Sequence, residues 1–298
     1  MTIKEMTPAV PAALAGCIIL AGGTGARLGG VSKPDYRVCG VRLLDLLLGS
    51  MQAVHFSGQI VAVAPADVAV PPSVRRVLED PPLGGPLAGI GAGIVALRDL
   101  PDHALVALTT CDAPLAPLLW RELCEVWPAD DGERGAYRGD CASSDAHGAD
   151  MDYSGAGMDC ADAGCDSVRY DGVVPVTADA RDQLMPQAYS SSAAQVSLQQ
   201  KIPALRADIL PPIASAQPAP HRSIHYALGA YRLGALRRMR YERNRSIRSA
   251  FSTLQLGFVI DRQEFCVDVD NEAGAQRLAR RFQEHSELLQ LLRHTAPL

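Results

Sequence analysis

The sequence predicts a three-layer α/β fold with a mostly parallel, doubly wound sheet. Three observations carry this. Apolar runs of strand length alternate with helix-length segments over the first 127 residues. The first apolar run empties into a glycine-rich loop, and a later one ends directly at an aspartate. Strands alternating with helices imply βαβ units and hence parallel pairing.

Taken in order, Gly16–Leu20 reads as a buried strand entering the loop Ala21–Gly30, which holds five glycines in ten residues. Residues 41–54 have helical apolar spacing, and Gln59–Ala64 is a second buried strand. Gly84-Gly85-Pro86 opens a helix over 86–98, with proline in its first turn. Ala104–Leu108 is a third strand, ending at Thr109-Thr110-Cys111-Asp112, and 117–126 is a helix. Asp171–Val176 and Tyr226–Tyr231 read as strands, 233–242 and 244–255 as helical, Phe265–Val269 as a last short strand, and 272–293 as one polar helix.

Two segments break this pattern. Residues 129–167 are rich in Asp, Gly, Ala and Ser with almost no large aliphatics, a composition that cannot offset the entropy of ordering, so a disordered insertion is expected. Residues 190–224 form a second insertion, rich in Pro, Ala and Ser. The expectation is one domain over 1–298 carrying both.

Composition excludes several classes of function. A net charge of −5 disfavours broad electrostatic binding to nucleic acid or anionic membranes. No apolar run approaches the ~18 residues that suggest a membrane span. Eight cysteines show neither a CxxC pair nor zinc spacing, and Cys17 and Cys111 lie in apolar runs, so a reduced, cytoplasmic protein is expected. Leu14-Ala-Gly-Cys17 mimics a lipoprotein cleavage site, but the preceding segment has one Lys followed at once by Glu5, and prolines interrupt its apolar stretch.

A loop so poor in Cβ atoms can lay backbone amides on a phosphate, and Arg27 and Lys33 add positive charge. It is not a P-loop, because no Gly-Lys-Ser/Thr follows, and position 28 is Leu where a dinucleotide fingerprint needs glycine. The pattern Leu20-Ala-Gly-Gly-x-x-x-Arg27-Leu-Gly-Gly-x-x-Lys33 resembles the signature of the nucleotidyltransferases that include molybdenum cofactor guanylyltransferase, the MobA type. That resemblance implies a Rossmann-like nucleotidyltransferase fold. It also implies nucleotide contacts from Leu20, Ala21, Gly22 and Gly23, and phosphate binding by Arg27 and Lys33.

Asp112 follows a buried strand, where ligands gather in open parallel sheets. Its position suits either Mg²⁺, which takes one or two carboxylates plus phosphate oxygens, or the cap of the next helix. The resemblance of Cys-Asp112-Ala-Pro to the family's magnesium element favours the metal. Asp80, before Pro-Pro-Leu-Gly-Gly-Pro-Leu-Ala-Gly89, is a turn residue on its own and a nucleotide contact by resemblance. Strand alternation over 265–269 would place Asp268 and Asp270 on one face, with Asp270 as a second metal position; the family motif departs after it, at Asn-Glu-Ala-Gly.

Residues 237–248 carry six arginines, expected mostly as a solvated helix face, with Arg248 nearest the family's substrate segment. His103, His221 and His225 lack a Ser or Cys partner, and Trp120 and Trp127 are expected in the core. Val173–Gln183 carries the first half of a further family pattern, and the second half falls either at Leu184–Tyr189 or at Ala227–Arg232. The resemblance implies GMP transfer from GTP onto the phosphate of molybdopterin with Mg²⁺, Lys33, Arg27 and Asp112 being catalytic. Molybdoenzymes and other proteins of that cofactor pathway are the implied protein partners. A CTP-using or sugar-phosphate enzyme of the same fold, a nucleotide-binding module without turnover and an NAD-dependent oxidoreductase are the alternatives.

Overall fold

A computed structural model describes residues 14–22, 28–127, 170–177, 209–210 and 224–294. The insertion 129–167, all of the insertion 190–224 except 209–210 and 224, Gly23, Arg27, Asp179, Arg181, His221 and residues 184–189 lie outside the described residues.

Ten strands are described: β1 (Leu14–Leu20), β2 (Arg37–Val38), β3 (Val41–Arg42), β4 (Gln59–Val63), β5 (Arg75–Val77), β6 (Leu105–Thr110), β7 (Gly172–Thr177), β8 (Ile209–Leu210), β9 (Ala230–Arg232) and β10 (Leu256–Asp261). Eight of them form one sheet in the order β5-β4-β1-β6-β9-β7-β10-β8, and β2 and β3 make a separate hairpin. The pairs β5–β4, β4–β1, β1–β6 and β7–β10 are parallel. The pairs β6–β9, β9–β7 and β10–β8 are antiparallel, so the sheet is mixed only at β9 and β8. From β1 the chain crosses to β4 on one side and later to β6 on the other. The carboxyl ends of β1 and β6 therefore flank a switch point, with Leu20 in register with Thr110.

The helices are α1 (Leu43–Ala53), α2 (Pro86–Ala96), α3 (Trp120–Glu125), α4 (Leu233–Arg237), α5 (Ile247–Phe251), α6 (Glu272–Glu284) and α7 (Ser286–His294). One buried cluster joins α1, α3, α6 and α7 to one sheet face, and a second joins α2, α4 and α5 to the other. This is the expected three-layer arrangement. Trp120 is fully buried and Trp127 packs partly buried against the same cluster. Close approach governs two helix seams. An ideal Cβ on Gly49 of α1 would lie 2.5 Å from the Leu292 carbonyl oxygen of α7, and one on Gly93 of α2 would lie 2.5 Å from Ile18 Cγ2 of β1.

Several expectations are corrected. The last strand is not Phe265–Val269, which is loop, but Leu256–Asp261, all six residues of which are buried. A strand buried on both faces shows no alternation, so it merges with the helix-like text before it. The expected helix 244–255 shrinks to α5, capped by the Ser246 hydroxyl, which accepts from Ser249 N at 3.1 Å. The expected helix 233–242 shrinks to α4. Tyr226–Leu228 is a 3₁₀ turn and only Ala230–Arg232 is strand. The expected single helix 272–293 is two, broken at His285.

Candidate functional site

The site is built at the carboxyl ends of β1 and β6. Beyond β1, Ala21 N donates to Val63 O at 3.0 Å, and beyond β6, Cys111 N donates to Leu20 O at 3.1 Å. These bonds extend the sheet past its last strand residues and fix where Asp112 starts. They also commit the Ala21 amide to the sheet, so the amides available to a ligand begin at Gly22. A 3₁₀ turn over Lys33–Asp35, with Pro34 buried beneath it, delivers Lys33.

Lys33 Nζ donates to Asp112 Oδ2 at 2.6 Å and also to Asp270 Oδ1. Three residues distant in sequence thus meet at one ammonium. Burial opposes the Lys33 charge, but Asp112 and then Asp270 outweigh it and hold the ammonium above the usual lysine range. Asp112 caps no helix: the following 3₁₀ turn starts at Leu115 without a side-chain cap bond. The cap of α6 is Asn271, whose Oδ1 accepts from Gly274 N at 3.0 Å, which leaves Asp270 free for Lys33. The Asn-Glu-Ala-Gly departure from the family motif is therefore a working helix start.

The loop carrying Asp268 and Asp270 has a physical anchor that the sequence reading missed. Asp261, at the end of β10, is only 3% exposed. Its Oδ1 accepts from Gln263 N at 3.3 Å and Phe265 N at 3.0 Å, and its Oδ2 from Cys266 N at 2.8 Å. The loop then docks on the site itself through Val269 N, which donates to Asp112 O at 2.8 Å. Tyr36 OH donates to Glu272 Oε2 at 3.0 Å, tying the Lys33 turn to the start of α6. A buried aspartate four residues before a Phe-Cys pair could have been read as a loop anchor, had β10 been placed correctly.

Asp268 and Asp270 share the site, but not as strand neighbours, since 265–269 is loop. Crowding by protein atoms, followed by the charges of Asp112 and Asp270, pushes the Asp268 carboxyl up to about 7, while its outer surface stays in solvent. Two carboxylates around one ammonium, with a third alongside, leave a net negative centre.

Asp80 stands exposed, and no hydrogen bond or ion pair joins it to the Lys33 cluster among the described residues. The neighbouring carboxylate carries the local structure instead: Glu79 Oε1 accepts from Gly84 N at 3.2 Å. Residues 81–85 are clamped from outside, by Arg243 onto the Pro81 and Pro82 carbonyls and by Asn244 N onto Gly84 O at 2.8 Å. Gly85 then enters α2 at φ +83°, a conformation that glycine allows. The arginine run is thus not wholly a solvated face. Arg243 holds this turn, and Arg237 pairs with Asp102 while also donating to the carbonyls of Leu97, Arg98 and Leu100. Arg248 is exposed, as is His103, and Cys17 and Cys111 are buried and free, as expected.

A lysine held by two carboxylates at the switch point of a mostly parallel sheet defines an α/β protein of the nucleotidyltransferase type. More narrowly, the chain belongs to the MobA-like NTP transferase domain family, whose family model matches residues 17–208 and so spans the glycine loop, Lys33, Asp80 and Asp112. No curated protein matches the chain. Among solved structures it is similar to molybdopterin-guanine dinucleotide biosynthesis protein A from Archaeoglobus fulgidus, at 14% identity over 90% of this chain and 99% of that one, with a TM-score of 0.46. It is also similar to Rv0371c from Mycobacterium tuberculosis H37Rv, at 13% identity over 91% and 100% of the two chains and a TM-score of 0.48. The homologue of that protein from Mycobacterium sp. strain JC1 matches at 13% identity over 92% and 98%, with a TM-score of 0.49.

Proposed function

We propose that this protein is a Mg²⁺-dependent nucleotidyltransferase that moves GMP from GTP onto the phosphate of molybdopterin and releases pyrophosphate. The observation that carries this is the Lys33 ammonium held by both Asp112 and Asp270 at the β1/β6 switch point. The family supports nucleotide triphosphate as substrate class. The choice of GTP and molybdopterin rests on the resemblance of the loop signature.

The donor set fits a hard divalent cation. Asp112 and Asp270 offer carboxylate oxygens and already share one positive charge. That suits Mg²⁺, which is commonly bound through one or two carboxylates plus substrate phosphates. When bound, the ion would neutralise charge on the phosphate oxygens.

In this reading the chain's own residues position and neutralise. Leu20, Ala21, Gly22 and Gly23 contact the nucleotide, Asp80 contributes from the 80–85 turn, and Arg27 and Lys33 meet its phosphates. The acceptor phosphate attacks the α-phosphorus, a P–O bond forms, and the bond to the departing pyrophosphate breaks. No group on the protein becomes covalently modified. Lys33 needs no reorganisation to supply charge, because Asp112 and Asp270 fix its ammonium beforehand. Among the described residues no helix is long and apolar enough to cross a membrane, and a cytoplasmic location is part of this reading.

The test is pyrophosphate release by purified protein from GTP, CTP, ATP and UTP, with molybdopterin and with or without Mg²⁺. The expected result is release from GTP alone, dependent on both. Release from CTP would transfer the reading to a cytidylyl enzyme, and no release from any nucleotide that binds would make the protein a binding module. Wild-type turnover by Asp112→Ala would remove the metal assignment.

A further inference from the structure

Beside the Lys33 site, α6 and the loop after β10 enclose a cavity of about 270 Å³ that the nucleotide reading does not use. We propose that this cavity is a binding site for a phosphate-type oxyanion, and that, on the nucleotidyl-transfer reading above, it holds an anionic group of the acceptor substrate.

The cavity is walled by residues that belong to the acidic site. Val267 immediately precedes Asp268, and Leu115 follows Asp112 in the loop beyond β6. The two segments are joined by the Val269 N to Asp112 O bond, so cavity and carboxylates share one wall. The lining also includes Arg277, Arg280 and Arg281, which stand at helical i, i+3, i+4 spacing on α6. The helix packs on the core through Gly274, Ala275, Leu278 and Phe282, and Leu278 also lines the cavity.

Arg277, Arg280 and Arg281 all line the cavity. None of the three makes an ion pair among the described residues. Arg281 Nε is buried and has no hydrogen-bond acceptor. Arg281 lies over the Phe265 ring, 4.8 Å from its centroid. Burial pulls Arg281 below the usual arginine range, against the opposing charges of Asp261, Glu264 and Glu284, the two glutamates also lining the cavity. Arg277, whose charge acts on Asp268, and Arg280 are both exposed. A planar guanidinium presents paired donors matched to phosphate oxygens, so a site of several such forks selects an oxyanion over a cation.

The test is calorimetric titration of the full chain with inorganic phosphate. Arg277→Ala/Arg280→Ala should weaken phosphate binding at least tenfold, and Arg281→Lys, which keeps the charge but loses the fork, should weaken it as well. Arg98→Ala/Arg240→Ala removes the same charge elsewhere and should bind like wild type, and Lys33→Ala should retain the Arg277-dependent binding. Wild-type affinity in Arg277→Ala/Arg280→Ala, or an equal loss in Arg98→Ala/Arg240→Ala, would overturn the proposal. A thermal melt of each variant identifies loss of fold, in which case Arg281→Lys decides alone. GTP binding by Arg277→Ala/Arg280→Ala should be unchanged, so the two readings fail separately: loss of GTP binding by wild type sinks the nucleotide reading and leaves the phosphate result standing.

Discussion

Removing the Asp261 carboxylate should cost stability and function together. In Asp261→Ala, the amides of Phe265 and Cys266, both in buried hydrogen bonds to Asp261, lose their acceptor. Each unsatisfied buried amide costs about 1–3 kcal/mol, so the pair costs about 2–6 kcal/mol. The more exposed Gln263 amide can turn to water and adds little. Against a domain stability of about 5–15 kcal/mol this is a large fraction. Asp261→Asn should be milder: an oxygen at the Oδ1 position still serves Gln263 and Phe265, leaving only Cys266 unserved, at about 1–3 kcal/mol. Urea unfolding followed by tryptophan fluorescence gives both values, Trp120 being buried in the core. An Asp261→Ala stability within about 0.5 kcal/mol of wild type, the range of an inconsequential surface change, or a larger cost for Asn than for Ala, would show that Asp261 does not anchor the loop.

Three further outcomes are expected. Lys33→Ala should leave the circular dichroism spectrum unchanged while lowering kcat for pyrophosphate release about 10²–10³-fold, the usual effect of deleting one preorganised charge donor; a loss below threefold would remove Lys33 from the chemistry. Gly49→Ala should destabilise by about 1–3 kcal/mol because its Cβ would meet the Leu292 backbone, whereas helix propensity alone would give a gain of up to ~1 kcal/mol; a rise in the urea midpoint would show that α7 yields. Burial lowers His225 below the ordinary 6.5, with Asp261 opposing, so below that value the unfolded chain takes up a proton that the folded chain resists. Its contribution to stability is therefore present above pH 6.5 and lost as pH falls, and His225→Gln should flatten the urea midpoint between pH 7.5 and 5.5; an unchanged slope would refute it.

The parallel half of the sheet was legible because its strands carry the signals of β-structure without competition. β1, β4 and β6 are apolar runs, each closed by glycine, proline or aspartate, and their crossovers are long enough to be helices. Lys33 and Asp112 were legible because each sits at a fixed distance from such a strand. The half after residue 170 was not. β10 is buried throughout, and β9 is three residues in an antiparallel slot that only its neighbours define. Asp270 was expected from strand alternation, which did not hold, and from the family motif; its fixed position comes from Asp261 holding a loop. Glu79 and Arg243 were missed because side chains that bind backbone carbonyls and amides leave no pattern in the text.

The most direct measurement of the central claim is GTP binding with and without Mg²⁺, by titration calorimetry, to wild type and to Asp112→Asn. The site described here expects tight binding only when the ion is present, and loss of that ion-dependent gain in the variant. Equal affinity in all four titrations would mean that the lysine and its carboxylates grip something other than a metal-bound nucleotide.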